Sequence, residues 1–243
     1  MNAIEKAVDL FNTNFVNPAT IVRLATSGAL WNELLAFHGE LATDEFVMHL
    51  DTFYRQARKL WGDAWWHLDI VNALFAAAKL RRPARYLEIG VRRGRSAATV
   101  VRGCPSVDVF ACDMWVHDYA GMDNPGEDFV RKELDRHGHT GKAIFMNGDS
   151  HELLPQLFRQ QPDINFDIIT VDGDHSEQGA YDDLRNVIPR LALGGILMFD
   201  DIAHPLHPYL AGVWRRATAG NPALITYEYT ETGYGIALAV RKV

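Results

Sequence analysis

Beyond residue 84 the chain alternates short apolar runs with segments in which apolar residues recur at helical spacing. The runs predict buried strands, and the spaced segments predict the helices between them. Because each strand is followed by a helix, we expect a parallel sheet with helices on both faces. The strands are predicted at 86–91, 107–113, 143–147, 166–171 and 195–199, and the helices at about 95–102, 129–137, 153–159, 177–191 and 208–219.

Two further strands are predicted at the end of the chain, over 224–229 and 235–240. Only a short turn around Thr232-Gly233 separates them, so they must run antiparallel. The pattern therefore predicts an α/β fold of the Rossmann-like kind, with a seven-stranded, mostly parallel sheet that ends with an antiparallel strand.

Residues 1–83 are predicted to form a helical extension, and residues 84–243 the sheet domain. Helical spacing predicts one helix over residues 4–11, a second over about 20–38, and a third that begins at an N-cap near Asp44. A fourth helix carries Trp66 and Leu68 and ends at Arg82-Pro83. The many aromatic residues of this extension favour a packed core, and a lid over the ligand is the alternative.

A glycine turn follows the first predicted strand, with Glu88, Gly90 and Gly94 in the pattern E-x-G-x-x-x-G. Such a turn lets backbone N–H groups approach a ligand at the start of a helix. The spacing differs from the G-x-G-x-x-G of dinucleotide-binding proteins, and Arg92 and Arg93 lie in the turn. A carboxylate at this place suggests a ligand with a positive group, and S-adenosylmethionine carries an amino group and a sulfonium.

Composition and charge narrow the choice of partners. The chain has 243 residues, 48% of them hydrophobic and 23% charged, and its formal net charge is −7. Without a basic stripe, nucleic acid is not an expected partner. The sequence has two cysteines, no basic start followed by a long apolar run, and no apolar segment that would span a membrane. We therefore expect a cytoplasmic protein that does not bind membranes.

Acidic residues recur where the predicted strands end, which is the edge at which open α/β sheets bind ligands. Asp113 ends the second strand, where an acid is able to bind both ribose hydroxyls, and a solvated loop acid is the alternative. Asp149-Ser150 follows the third strand and is a candidate for the adenine amino group, although a plain turn with an N-cap also explains it.

Strand four ends at Asp172 and strand five at Asp200-Asp201. Converging carboxylates repel one another unless a cation neutralises them, and oxygen ligands suit Mg²⁺ or Mn²⁺. We predict a metal site at Asp172, Asp200 and Asp201, with helix capping by one of the acids as the alternative. His175 lies beside these acids and is a candidate general base. His204 and His207 follow strand five and are candidates for substrate or metal binding, and the alternative for all three histidines is an ordinary loop residue.

The stretch from Arg85 to the end of the chain resembles class I S-adenosylmethionine-dependent methyltransferases of the metal-dependent O-methyltransferase branch, which includes catechol, sugar and macrolide enzymes. The resemblance implies S-adenosylmethionine and Mg²⁺ or Mn²⁺ as cofactors. It also implies the metal ligands Asp172, Asp200 and Asp201. The cofactor-binding residues that it implies are Glu88, Gly90, Gly94, Ser96, Asp113, Met114, Trp115, Asp149 and Ser150.

His175 stands where catechol-type relatives have a lysine. This departure disfavours a catechol, so the resemblance implies transfer of a methyl group to a hydroxyl of a sugar or another natural product, with Asp172 and His175 as catalytic residues. The alternatives are a metal-free O- or N-methyltransferase, an NAD-binding oxidoreductase and a non-catalytic binding module. Relatives of this kind are often dimers or larger, so the chain is expected to form a homo-oligomer.

Overall fold

The computed structural model describes residues 16–118 and 121–242 of the chain. Its strands form one seven-stranded sheet in the order β3-β2-β1-β4-β5-β7-β6. Strand β7 runs antiparallel to both of its neighbours, and the other six strands share one direction. The predicted fold is therefore confirmed. The strands are β1 (Arg85–Ile89), β2 (Asp108–Asp113), β3 (Ala143–Asn147), β4 (Phe166–Val171), β5 (Leu191–Asp200), β6 (Leu224–Tyr229) and β7 (Ile236–Arg241).

The helices within the described ranges fall into two groups. Four precede the sheet, namely α1 (Pro18–Ala25), α2 (Gly28–His38), α3 (Glu45–Trp61) and α4 (Ile70–Arg81). Five connect the strands, namely α5 (Arg95–Gly103), α6 (Glu127–Arg136), α7 (Ser150–Gln160), α8 (Glu177–Val187) and α9 (Leu210–Thr218). No helix in these ranges is long and apolar enough to cross a membrane.

Side-chain caps explain where the N-terminal helices differ from the prediction. The run over 20–38 is two helices rather than one, because the Ser27 side chain accepts the N–H of Leu30 and begins α2. Helix α4 begins at Ile70, where Asp69 caps it, so Trp66 and Leu68 precede it. The helix expected over residues 4–11 lies outside the described residues.

Strand β5 is longer than predicted. The helix before it ends at Val187 and a 3₁₀ turn over Ile188–Arg190 follows, because Pro189 has no N–H to continue the helical hydrogen bonds. The strand therefore begins at Leu191, with a register shift against β4 between Phe166 and Ile168. Beyond the shift the two strands stay paired as far as Val171 and Phe199, at the edge where both end.

The sheet has a hydrophobic core on each face. Along β1 the side chains alternate, so that Tyr86 packs in one core and Leu87 in the other. Trp31 and Leu74 of the N-terminal helices belong to the same core as Tyr86. These helices therefore cover one face of the sheet, and a domain boundary near residue 83 stays a prediction.

Candidate functional site

The turn between β1 and α5 requires its glycines. Gly90 has φ +83°, and a Cβ atom there would lie 1.9 Å from the backbone oxygen of Asp172. Gly94 has φ +70° and begins α5, where a Cβ atom would lie 2.7 Å from Val130. Side chains at either position would force the turn apart, so the predicted glycine motif is explained first by backbone conformation and close packing.

Glu88 is buried in β1, with 1% of its surface exposed. The Ser96 hydroxyl donates a hydrogen bond to Oε1, whereas Oε2 has no hydrogen-bond partner among the described residues. Burial raises the pKa of Glu88 to about 8. A buried carboxylate oxygen without a donor would fit the positively charged amino group of S-adenosylmethionine, and the cofactor role of Glu88 stays a prediction.

Asp113 ends β2 and shapes the turns around it. Oδ2 accepts the backbone N–H groups of Val91 at 2.7 Å and Arg92 at 2.8 Å. Oδ1 accepts the N–H of Trp115 at 2.6 Å and the side-chain amide of Asn124 at 3.3 Å. A carboxylate offers about four lone-pair positions, and these donors use all of them. Ribose hydroxyls would therefore have to replace a donor such as Asn124, and the ribose role of Asp113 stays a prediction.

Met114 and Trp115 extend from this corner of the sheet. Met114 is 63% exposed. Trp115 has φ +53°, and its indole N–H donates to Asn147 at 2.8 Å. The pair leaves an apolar surface beside the glycine turn, and its contact with a cofactor stays a prediction.

Asp149 and Ser150 begin α7. Asp149 is the N-cap and accepts the N–H of His151 at 2.8 Å, as the helix-cap alternative predicted. Ser150 is nearly buried, and its hydroxyl donates to Asp183 of α8 at 2.7 Å. No sequence pattern indicated this link, because Asp183 is one of several acids in an amphipathic helix. An adenine-side role for Asp149 and Ser150 stays a prediction.

Strands β4 and β5 are neighbours, as predicted, and their ends bring two aspartates and a histidine together. Ligand atoms of Asp172, His175 and Asp201 all lie within 4.8 Å of one another. Nε2 of His175 lies 3.4 Å from Oδ1 of Asp172 and 3.3 Å from Oδ2 of Asp201. Asp201 adopts φ +62°, a conformation that costs free energy for a residue with a side chain. Asp200 lies outside this group, and its role as a ligand stays a prediction.

Burial and charge repulsion both act on the acids at this edge of the sheet. Burial, followed by the charges of Asp172 and Asp201, raises the pKa of Asp200 well above its usual value. Burial also raises the pKa of Asp172. For His175 burial acts to lower the pKa, but the hydrogen bonds and charges of Asp172 and Asp201 outweigh it and raise the pKa to about 11. Without another cation, His175 is therefore protonated and acts as the positive partner of both acids.

A row of rings continues outward from His175. The ring centroids of His175 and His207 are 5.1 Å apart, those of His207 and His204 are 5.0 Å apart, and those of His204 and Tyr234 are 4.2 Å apart. The Tyr209 hydroxyl donates to the backbone oxygen of His175 at 2.8 Å. We name His204, His207, Tyr209 and Tyr234 the aromatic rim. The two histidines that the sequence singled out thus lie beside His175.

Sequence reasoning missed a contribution from the N-terminal helices. Asp69 caps α4, and its charge contributes to raising the pKa of both Asp172 and Asp200. Burial acts to raise the pKa of Asp69, but hydrogen bonds from His67 and Tyr54 and the charge of Arg95 outweigh it and lower the pKa to about 2. The available signal in the sequence was that Asp69 is able to act as an N-cap, but α4 was expected to begin before it.

The aromatic residues of the N-terminal helices divide between core and surface. Trp31 and Tyr54 are fully buried, whereas Trp61 and Trp66 are half or more exposed. His67 donates to or accepts from Thr232 at 2.7 Å, which joins this part to the loop between β6 and β7. The expected packed core is therefore present, together with exposed aromatic residues.

Residues 87–202 match the model of a methyltransferase domain family. A search among curated proteins found no match. Several hundred solved structures are similar in fold to this chain, among them three O-methyltransferases.

The O-methyltransferase TomG from Streptomyces achromogenes, which is involved in tomaymycin synthesis, is 21% identical, with 83% of this chain and 91% of TomG covered and a TM-score of 0.58. An O-methyltransferase from Bacillus cereus in complex with S-adenosylhomocysteine is 17% identical, with 98% and 99% covered and a TM-score of 0.56. CalS11, a TDP-rhamnose 3′-O-methyltransferase of calicheamicin biosynthesis, is 21% identical, with 88% and 93% covered and a TM-score of 0.55. At these identities the similarity establishes the fold.

Proposed function

Because the chain carries a class I S-adenosylmethionine-dependent methyltransferase domain, we propose that it methylates a hydroxyl of a small molecule, a sugar or another natural product. Structurally similar proteins include enzymes whose names state O-methyltransferase activity, among them a TDP-rhamnose 3′-O-methyltransferase. The resemblance in sequence points to the same reaction class. The reaction moves a methyl group from the sulfonium to the acceptor oxygen, and the hydroxyl proton must leave.

The observation that carries the proposal is the group formed by Asp172, His175 and Asp201, whose ligand atoms lie within 4.8 Å of one another. The two carboxylates are suitable donors for a divalent cation such as Mg²⁺ or Mn²⁺. Asp172 and Asp201 would hold the ion. Asp200 is the remaining acid of the predicted set, and it would add negative charge nearby. Bound there, the cation would orient the acceptor hydroxyl, lower its pKa and offset the carboxylate charges that keep His175 protonated.

Residues of the chain itself account for binding and proton transfer. Glu88, through its unpartnered Oε2, would accept hydrogen bonds from the amino group of the methyl donor. The turn at Gly90 and Gly94 would present its backbone to the donor, since neither residue has a side chain. Nε2 of His175 would take the acceptor proton. Aligning the two reactants would lower the activation free energy of the transfer by on the order of 7–11 kcal/mol.

The aromatic rim is the proposed acceptor side of the site. Its rings form a continuous row from His175 to Tyr234, and Tyr209 and Tyr234 are 38% and 46% exposed. Aromatic faces pack against the C–H groups of a sugar or against a flat ring, while the imidazole and phenol groups hydrogen-bond to hydroxyls. This combination favours an acceptor that carries several hydroxyls on a ring.

A metal-free methyltransferase that uses His175 alone is the second candidate. Its support is the ion pairing of His175 with Asp172 and Asp201, which already balances part of their charge. The NAD-binding alternative loses its basis, because residues 87–202 match a methyltransferase domain and β7 is antiparallel within the sheet.

The test combines metal binding with turnover. Mn²⁺ binding is measured by electron paramagnetic resonance, and formation of S-adenosylhomocysteine is measured with a panel of nucleotide sugars and polyphenols. Asp172→Asn and Asp201→Asn are expected to abolish Mn²⁺ binding and to lower turnover by about 10³-fold, while the affinity for S-adenosylhomocysteine stays within about twofold.

Asp174→Asn is the matched control, because Asp174 is adjacent in sequence but lies outside the group, where it accepts the N–H of Ser176. It is expected to keep both metal binding and turnover. Full turnover in excess chelator would overturn the metal step and favour the metal-free candidate. Failure of the wild-type protein to bind S-adenosylhomocysteine would refute the methyltransferase proposal itself.

A further inference from the structure

Arg92 is an unusual residue of the glycine turn, and the proposed mechanism does not use it. Its backbone adopts φ +50°, a left-handed conformation that costs free energy for a residue with a side chain. It lies between Gly90 and Gly94, which adopt φ +83° and +70°. The turn thus needs a positive φ at three residues, and at one of them an arginine stands where a glycine would fit without strain.

Two carboxylates hold Arg92, one at its backbone and one at its side chain. Oδ2 of Asp113 accepts the backbone N–H of Arg92 at 2.8 Å. Nη2 of the Arg92 guanidinium donates to Oδ2 of Asp44, and the guanidinium carbon lies 5.5 Å from the centre of the Phe46 ring. The side chains of Arg92 and Asp44 are only 24% and 18% exposed, so water screens this ion pair less than an exposed one.

Asp44 divides its two oxygens between two elements of the structure. It is the N-cap of α3, where Oδ1 accepts the N–H of Val47 at 2.9 Å. Oδ2 is the oxygen that accepts the Arg92 side chain. The segment before α3 is itself anchored, since the N–H of Ala42 donates to the buried Glu133 of α6 at 2.8 Å. Asp44 therefore presents its second oxygen to the glycine turn from a fixed position.

The neighbouring Arg93 provides a comparison within the same turn. Its Nη1 donates to Oδ2 of Asp123 at 2.7 Å, and its Nε lies 4.0 Å from Oδ2 of Asp44. Arginines beside a glycine turn also suit phosphate binding, but both of these are paired with acids of the chain. Arg93 does not have a positive φ, so its ion pair holds no left-handed backbone.

We propose that Asp44 is a positioning residue that binds the Arg92 side chain and thereby keeps the glycine turn in the conformation that receives the methyl donor. This inference rests on the proposed function, in which the backbone of the turn faces the donor. An ion pair formed in one conformation lowers the free energy of that conformation relative to the others. Turns that leave it do not bind, so the apparent affinity falls with the fraction that stays competent. The N-terminal helices thereby support donor binding without contacting the donor.

A glycine in place of Arg92 separates this role from a merely structural one. Glycine adopts a positive φ without steric cost, so the turn no longer needs the ion pair. Asp44→Ser keeps an N-cap for α3, because serine caps helices about as well as aspartate, but it removes the oxygen that faces Arg92. The effect of Asp44→Ser on the turn should therefore disappear when Arg92→Gly is also present. A loss of helix packing alone would be the same in both backgrounds.

The experiment combines amide hydrogen exchange over residues 89–96, followed by mass spectrometry, with the affinity for S-adenosylhomocysteine, measured by calorimetry. Asp44→Ser and Arg92→Ala are each expected to speed the exchange and to weaken the affinity by about fivefold. Arg92→Gly is expected to bind about fivefold more tightly than Arg92→Ala, and adding Asp44→Ser to it should change neither measurement by more than about twofold. Asp123→Asn is the matched control, since it removes only the ion pair of Arg93, and it should behave as the wild type.

An effect of Asp44→Ser that has the same size with Arg92 and with Arg92→Gly would overturn the positioning role and leave Asp44 a helix cap. Unchanged affinity in Asp44→Ser would overturn it as well, whether or not the exchange is faster. If Arg92→Ala does not fold, the comparison of Asp44→Ser in the two backgrounds still decides. A wild-type protein that does not bind S-adenosylhomocysteine would instead refute the proposed function, and the exchange measurements would still show whether Asp44 holds the turn.

Discussion

Asp113 at the end of β2 and the acids at the ends of β4 and β5 occupy equivalent places in the sheet but different environments. The carboxylate of Asp113 accepts hydrogen bonds from three backbone N–H groups and one side-chain amide. Asp172 and Asp201 flank His175, which is the cation between them, and their charges help to raise the pKa of the buried Asp200. One region satisfies its acid with the chain's own donors, and the other gathers more negative charge than its donors balance.

The difference teaches how to interpret an acid at a strand end. Where backbone N–H groups surround the carboxylate, as at Asp113, the acid fixes the conformation of the adjacent turn. Where burial and the charges of neighbouring acids raise the pKa, as at Asp172 and Asp200, the arrangement lowers stability unless a cation binds. The second environment is the one expected of a reaction centre.

Glu88 lies on β1, between these two regions, and its substitution is expected to have the largest effect on stability. Burial raises its pKa from 4.5 to about 8. Between those pH values the unfolded chain loses the proton while the folded chain keeps it, so the free energy of unfolding should fall as pH rises and level off above pH 8. The loss attributable to Glu88 is on the order of 4 kcal/mol. Urea denaturation of wild type and Glu88→Gln at pH 5, 6.5 and 8 measures it, and Glu88→Gln should lack this slope.

Glu133→Gln serves as the control for that series, because Glu133 is also buried but accepts the N–H of Ala42 at 2.8 Å. It is expected to keep the pH slope that Glu88 produces, because Glu88 is intact in this variant. Parallel pH curves for wild type and Glu88→Gln would contradict the account of Glu88. Saturation with S-adenosylhomocysteine should lower the pKa of Glu88, because the ligand's amino group favours the ionised carboxylate.

Asp113→Asn tests the satisfied region and is expected to have the next largest effect. An asparagine has one acceptor oxygen in place of two. Its NH₂ group would face the backbone N–H groups of Val91 and Arg92, which are also donors. The free energy of unfolding should fall by about 2–3 kcal/mol. Urea denaturation at pH 7.5 measures the change, and a loss below about 0.5 kcal/mol would mean that the hydrogen bonds do not hold the turn. The affinity for S-adenosylhomocysteine should fall as well.

Asp200→Asn tests the crowded region and is expected to act in the opposite direction, with a smaller effect. Burial and the charges of Asp172 and Asp201 raise the pKa of Asp200, so its ionised form costs stability at neutral pH. The neutral variant should gain about 1 kcal/mol at pH 7.5 and nothing near pH 3, where the acid is protonated in both states. Chemical denaturation at the two pH values is the measurement. Destabilisation at pH 7.5 would mean that the Asp200 side chain stabilises the fold as Asp113 does, and it would refute the difference between the two regions.

Much of the fold followed from the sequence. Strands β3, β4 and β6 begin and end at the predicted residues, because apolar runs bounded by turn residues specify a buried strand directly. The motif at Glu88, Gly90 and Gly94 was also recognisable, since few residues other than glycine adopt its backbone angles. Helix starts at Ser27 and Asp69 were less predictable, because several residues nearby are able to cap a helix.

By itself the sequence determined that acids line one edge of a parallel sheet, because each strand runs in the same direction and ends there. Only the tertiary structure decided which of these acids has enough hydrogen-bond donors around its carboxylate. The donors of Asp113 come from two separate turns, the left-handed conformation of Asp201 turns it toward His175, and Asp69 approaches the site from the N-terminal helices. Hydrogen bonding and charge depend on distances between residues far apart in the chain, which periodicity does not encode.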